Sequence, residues 1–286
     1  MGSAVLSAAL LPFVDFILVR MGFFFDIHRV FNRIFLLLAI AGIAFFYSFF
    51  RSKDLFKKYV RGKARTRSFF SGTLVGGLIL LVLTLGGLAM HVRILREEIT
   101  PAMLVVGFFD SAGTALLVAF FETLFVWGIL FVLLRDDFGK RASIYITAFI
   151  YSTAHFLKAF SFPRADGFDL AIGFRVFFSS FRTLAQLDQH GFSLIGLFLL
   201  GIFFCRLFDD SGDNIFLVAG THAGAVFVIK MGRVLLDFDK KDYEWLFGTS
   251  EGIDGVFGWV LLLMLIAFLN SHKAKKLVNQ ISSSDH

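Results

Sequence analysis

Glu122, His155 and His222 each interrupt a run of apolar residues. Ionisable groups are costly in hydrocarbon, and inside a spanning segment they mark a functional site by default. Their local strings are Glu122-Thr-Leu-Phe-Val-Trp-Gly128, Phe149-Ile-Tyr-Ser-Thr-Ala-His155 and Gly220-Thr-His-Ala-Gly-Ala-Val226. One carboxylate and two imidazoles are enough to activate a water and to stabilise an oxyanion. Glu122 is the general-base candidate, since a positioned carboxylate can take a proton from water. His155 can orient that water or share its proton. His222 can donate to a developing oxyanion, where fixed donors in a dry cavity act strongly. Ser152 and Thr153 precede His155 but form no nucleophile motif, so direct attack by water is favoured over a covalent intermediate. The same trio with a water would also make a catalytic zinc set. The HExxH helix usual for such a site is absent, so zinc at Glu122, His155 and His222 is possible but not favoured, and the reading requires no cofactor. Each histidine alone reads as readily as a helix–helix hydrogen bonder.

The elements that must position these groups are membrane spans. Hydrophobic residues make up 57% of the 286 and the mean hydropathy is +0.77, too apolar for a soluble domain of this length. Only helices or closed barrels satisfy the backbone in lipid, and the apolar runs show no period-2 alternation. The expected fold is therefore all-α, a polytopic transmembrane bundle with spans near 4–19, 34–50, 69–92, 103–134, 142–160, 192–208, 214–232 and 255–270. Segment 171–187 carries Arg175, Arg182 and Gln186 on an apolar background, as an interfacial or re-entrant helix would. Residues 1–272 are expected to form one domain, followed by a tail at 273–286. The lone Cys205 excludes an internal disulfide and any thiolate cluster.

The net charge of +6 is no nucleic-acid signal, because the basic residues gather in loops. Arg51, Lys53, Lys57, Lys58, Arg61, Lys63, Arg65 and Arg67 lie between two expected spans, and Lys273, Lys275 and Lys276 follow the last. The positive-inside rule makes both segments cytoplasmic, and the basic loop suits anionic lipid. An even number of spans must then separate them, which holds when 171–187 does not cross. Eight spans with both termini cytoplasmic follow. Residues 1–19 lack the charged start and cleavage site of a signal peptide. Glu122 lies 13 residues before Arg135 and His155 lies 14 after Arg141, so both sit about 20 Å from that side at 1.5 Å per residue. His222, nine residues after Asp213, sits at about 14 Å by the same arithmetic. One layer can hold all three.

The three strings, in this order and on these spans, resemble the CPBP family of intramembrane proteases. That family includes the type II prenyl-CaaX endopeptidases and the Abi or bacteriocin-immunity proteins. The resemblance covers residues 103–270. The family's first motif, Glu-Glu-x-x-x-Arg followed by Gly, aligns with Glu122 to Gly128. Its second, Phe-x-x-x-His, aligns with Tyr151 to His155, and its third, His-x-x-x-Asn, with His222 to Val226. Gly191-Phe-Ser-Leu-Ile-Gly-Leu-Phe-Leu-Leu-Gly201 and Glu251-Gly-Ile-Asp-Gly-Val-Phe-Gly258 are similar to the flanking glycine-spaced segments. The resemblance implies base Glu122, water partner His155 and oxyanion donor His222, without an obligatory metal. Thr123 stands where the second Glu belongs, Trp127 where the Arg belongs and Val226 where the Asn belongs.

The expected function is an intramembrane endopeptidase, a CaaX-protease-like hydrolase acting on a membrane-associated peptide or protein. The alternative is an inactive member of the same fold that binds a membrane partner. A transporter would call for an inverted repeat, and none is visible. Gln186 and His190 are the candidates for a donor in place of the Asn. Asp110 is expected to be solvated or paired, and Trp245 and Trp259 to anchor at the interface. Gly113, Gly128, Gly196, Gly201, Gly220 and Gly224 are expected to permit close helix packing.

Overall fold

The computed structural model describes residues 2–35, 38, 41, 65–157, 168–182, 187–238, 243–249, 252–271 and 278. Most of the expected 34–50 span, the basic stretch 51–64, Gln186, Glu251 and most of the tail lie outside them. The chain divides into two compact units, Met1–Val60 with Thr153–His190, and Arg61–Ser152 with Gly191–His286.

In the first unit, helix α1 (Gly2–Arg20) and a second helical stretch, α2 (27–35), pack against a short helix in the 168–182 segment. Ala8, Leu11, Ile27, Val30, Phe31, Ile34, Ile172 and Val176 form its core. Gly173 lies against the backbone of Ala8, whose carbonyl a Cβ would overlap. The short helix, which becomes α6 in chain order (Ile172–Ser179), has eight residues. That is about 12 Å of helix, too short to cross a bilayer. Its Arg175 is exposed and pairs with Asp169.

The second unit holds α3 (Arg65–Ala89), α4 (Pro101–Glu122), a π-helix (Thr123–Phe131), most of α5 (Val132–Ala154), α7 (Leu187–Asp210) from Gly191 on, α8 (Ile215–Leu235), α9 (Glu244–Phe247) and α10 (Val256–Leu269). Gly139, at φ 77° and ψ 165°, breaks α5 just after its first turns, so the chain reverses there. The expected 142–160 span is correspondingly shorter, since α5 ends at Ala154. Local signals set the other starts. Thr100 caps α4 by accepting from the Met103 N–H at 3.2 Å, with Pro101 behind it. Asn214 caps α8 by accepting from Leu217 N–H at 3.1 Å. Four helical stretches, Thr66–Ala89, Pro101–Ala154, His190–Asp210 and Ile215–Leu235, are long and apolar enough to cross a membrane, and Val256–Leu269 is shorter. The protein is an integral membrane protein built as an all-α bundle. Its β structure among the described residues is a ribbon of Arg93–Leu95 antiparallel to Leu236–Phe238, with Ile94 opposite Asp237.

Polar clusters close the two ends of this unit. At one end Arg135 donates to Asp213 through both terminal nitrogens (2.8 and 3.0 Å) and to Asp209 (2.8 Å). Lys140 also pairs with Asp209, and Arg206 bridges Asp210 and Asn270. At the other end the buried Asp254 accepts from the Thr249 N–H (3.0 Å) and hydroxyl (2.5 Å) and from Ser193 (3.5 Å). Arg93 donates to the Thr249 carbonyl at 2.5 Å. Burial pushes the Arg93 guanidinium below its ordinary value, and the Asp254 charge opposes that shift. Helices α3, α4 with the π-helix, α7, α8 and α10 each run from one of these ends to the other.

The tightest seam joins α3 to α8. Gly72 and Gly76 face Leu217 and Thr221, while Gly220 and Gly224 face Phe69 and Thr73. At each of these four glycines a Cβ would overlap a carbonyl oxygen of the opposite helix. Two small-xxx-small pairs therefore interlock backbone to backbone, the arrangement that holds membrane helices together without a hydrophobic driving force. Gly196 against Ile253 and Gly201 against Ala148 repeat it more locally. A Cβ at Gly128 would lie 3.0 Å from the Ile215 side chain. Gly113 departs from expectation, because a Cβ there would meet nothing within 4 Å. That part of α4 faces outward, so the residue is an exposed glycine rather than a packing one.

Candidate functional site

Glu122 ends α4 and sits at the head of the π-helix. π-Helices are rare, and mostly occur as single turns at functional sites. This one runs nine residues, Thr123–Phe131, and coincides with the first motif string. Nothing in the residue types announces it: the segment is apolar all round, so hydrophobic periodicity is silent. Its wider turn buries Thr123, Trp127, Gly128 and Phe131 together.

His222 lies in the middle of α8, two residues from each of the glycines that dock that helix on α3. At 4% exposure it is buried. Its Nε2 lies 3.7 Å from Glu122 Oε2, while the Glu122 side chain keeps 34% of its surface exposed. The pair thus combines an enclosed imidazole with a half-buried carboxyl side chain whose Oε2, the oxygen nearest the imidazole, is itself buried. Rings fix the imidazole. Trp127 meets it edge-on at 5.8 Å and 86°, and Phe204 lies at 5.3 Å. Trp127, fully buried, packs in turn on Phe204 (4.8 Å) and Tyr151 (5.2 Å). An aromatic wall of this kind lowers the local dielectric, which strengthens any charge interaction beside it.

The three departures from the family pattern can now be placed. Thr123 and Trp127 are both fully buried and uncharged, so replacing a carboxylate and a guanidinium together leaves no stranded charge. Val226 sits one turn after His222 on α8, half-buried. Within this unit no third His, Cys, Asp or Glu among the described residues joins Glu122 and His222 in a metal-sized cluster.

His155 belongs to the other unit. It lies in the turn that follows Ala154 and is half-buried. Beside it in sequence, Phe156 packs on His190 at 5.5 Å. The structure therefore brings Glu122 and His222 together within one unit and sets His155 in the other. Asp110, the remaining acid of α4, pairs with Lys230 at 2.9 Å and is well exposed. Residues that sequence reasoning passed over include Arg93 and Asp254, whose cluster joins positions 161 residues apart and leaves no local signal.

A half-buried carboxylate beside a buried imidazole, on helices long and apolar enough to cross a membrane, defines the class: an all-α integral membrane protein with paired ionisable groups inside its bundle. The family model for Type II CAAX prenyl endopeptidase Rce1-like proteins matches residues 105–228, and the chain carries an Rce1-like domain there. The matched segment holds all three motif strings and closes just past Val226. No curated protein matches the chain, and no solved structure does.

Proposed function

We propose that the protein is an intramembrane endopeptidase of the CaaX-protease type, acting on a membrane-associated peptide or protein. The observation that carries this reading is the 3.7 Å approach of Glu122 and His222 inside the Rce1-like segment. Glu122 takes a proton from water, and the hydroxide attacks the scissile carbonyl carbon. His222 Nε2–H donates to the resulting oxyanion. The C–N bond then breaks, and the departing amine takes the proton back from Glu122. His155 orients the water, as the family resemblance implies. At 3.7 Å the two side chains are too far apart for a direct hydrogen bond, and polar groups at that spacing commonly share a water. Supply of both a base and an oxyanion donor by the chain makes a metal unnecessary. We further propose eight spans with both termini cytoplasmic. Ser68 at the start of α3 and Asn270 at the end of α10 lie at the same polar end as Arg135 and Asp213, which fits the even number of crossings that this reading needs between them.

A second reading rests on Val226. A missing oxyanion donor typically costs about 10²–10³ in rate, which favours an inactive member of the fold that binds a membrane partner. One experiment separates the two. The gene is deleted and restored as wild type or as Glu122→Ala at matched abundance, and the termini of membrane proteins are compared. Endopeptidase activity leaves the same peptides uncut in the deletion and in Glu122→Ala. Full restoration by Glu122→Ala would establish the binding role instead.

A further inference from the structure

The polar end formed by the β-ribbon carries a cavity of about 160 Å³, lined by Arg93, Gly232, Arg233, Leu236, Asp237 and Phe238. An engineered cavity of about 150 Å³ accepts benzene, so a phosphate group fits here. Two guanidinium groups line it, and a third, Arg96, reaches Asp237 (3.0 Å) and the Arg233 carbonyl (3.3 Å) from the side. Among the described residues of the lining, Asp237 is the carboxylate. Arg93 is 5% exposed, and its Nε–H has no hydrogen-bond acceptor among the described residues. A buried guanidinium N–H without an acceptor is costly, and an anion in the cavity would offset that cost.

The surroundings say what carries the anion. The cavity lies where α8 ends and just past the end of α3, both membrane-spanning by length and composition. Next to it on the ribbon, Ile94 and Leu95 are exposed, as is Met90 at the end of α3. Apolar side chains beside a cationic cavity at a span terminus suit a group with acyl chains on one side and a phosphate on the other. We propose that this cavity binds a phosphate-type anion presented by a lipid headgroup.

The test uses the full chain in detergent, with binding read by native mass spectrometry. The probes are phosphatidylglycerol, diacylglycerol and inorganic phosphate. Phosphatidylglycerol is expected to bind at least about tenfold more tightly than diacylglycerol, the worth of one charge-assisted hydrogen bond. Arg233→Gln should weaken it by a similar factor, and Asp237→Asn should tighten it. Arg141→Gln, an exposed residue near the opposite polar end, should leave it unchanged. Equal retention by Arg233→Gln, equal loss in Arg141→Gln, or weakening by Asp237→Asn would overturn the site. Displacement of the lipid by inorganic phosphate at equal concentration would assign the cavity to free phosphate and overturn the lipid source.

Discussion

Substituting Gly76 by Ala adds one methyl group at the seam of α3 and α8. The new Cβ would overlap the carbonyl oxygen of Thr221 and approach its Cα at 3.0 Å. Its obstacle is backbone, with no side chain to swing away, so the two helices must part along their length. Overpacking of a tight core costs typically 1–3 kcal/mol, and a backbone obstacle belongs at the upper end, about 3 kcal/mol. A helical glycine replaced by alanine gains roughly 0.5–1 kcal/mol from backbone entropy. That gain cancels when glycine sites are compared with one another. A Cβ on Gly77, the next residue, would meet only Gly224 O and Val228 Cγ2 at 3.9 Å, and one on Gly113 would meet nothing within 4 Å. Gly76→Ala should therefore be about 3 kcal/mol less stable than Gly77→Ala or Gly113→Ala. The assay is equilibrium unfolding of the purified protein in mixed micelles, titrated with a denaturing detergent and followed by far-UV circular dichroism. Coincident curves for Gly76→Ala and Gly77→Ala would refute the backbone-contact argument.

Other predictions concern the site and its frame. Glu122→Gln keeps the shape and removes the base, so cleavage of any substrate peptide should fall by about 10²–10⁴ in kcat; a change of less than threefold would remove Glu122 from the chemistry. Val226→Asn restores a donor one turn from His222 and should raise turnover by about 10²-fold. An unchanged rate in membranes carrying equal amounts of protein would show that the chain supplies its donor elsewhere. Arg135→Gln leaves Asp209 and Asp213 facing each other, and should cost roughly 1–3 kcal/mol after allowance for its partial exposure. Adding Asp213→Asn should recover part of that loss in a double-mutant cycle, and strict additivity of the two changes would argue against the ion pair.

Much of the frame was legible because lipid leaves a chain few choices. Apolar runs had to be helices, and a carboxylate and an imidazole buried in them had to find partners. Depth arithmetic from Arg135 and Asp213 sets Glu122 and His222 in nearby layers, and they stand 3.7 Å apart. The glycines at 196, 201, 220 and 224 announced close helix approach. Gly72 and Gly76, their counterparts on α3, show the same four-residue spacing and could have been read the same way. Gly113 shows the limit of that signal, since a glycine says that a helix can come close and not that one does. The π-helix was invisible, because residues 123–131 are apolar on every face and carry no period. The links Arg135–Asp213 and Arg93–Asp254 were equally hidden. Each joins residues far apart in the chain, and any of several opposite charges would have served as well on paper.

The α3–α8 seam also bears on how anything enters. Where two helices touch through their main chains, there is no side chain to rotate aside and no gap for an acyl chain or an extended peptide. This wall stands directly behind His222, because Gly220 and Gly224 flank it on the same helix. A peptide that reaches the Glu122 carboxylate must come by a route other than through this wall. This backbone-to-backbone contact thereby limits the direction of approach, and a cross-linker on a bound peptide should label other helices in preference to the glycine faces of α3 and α8.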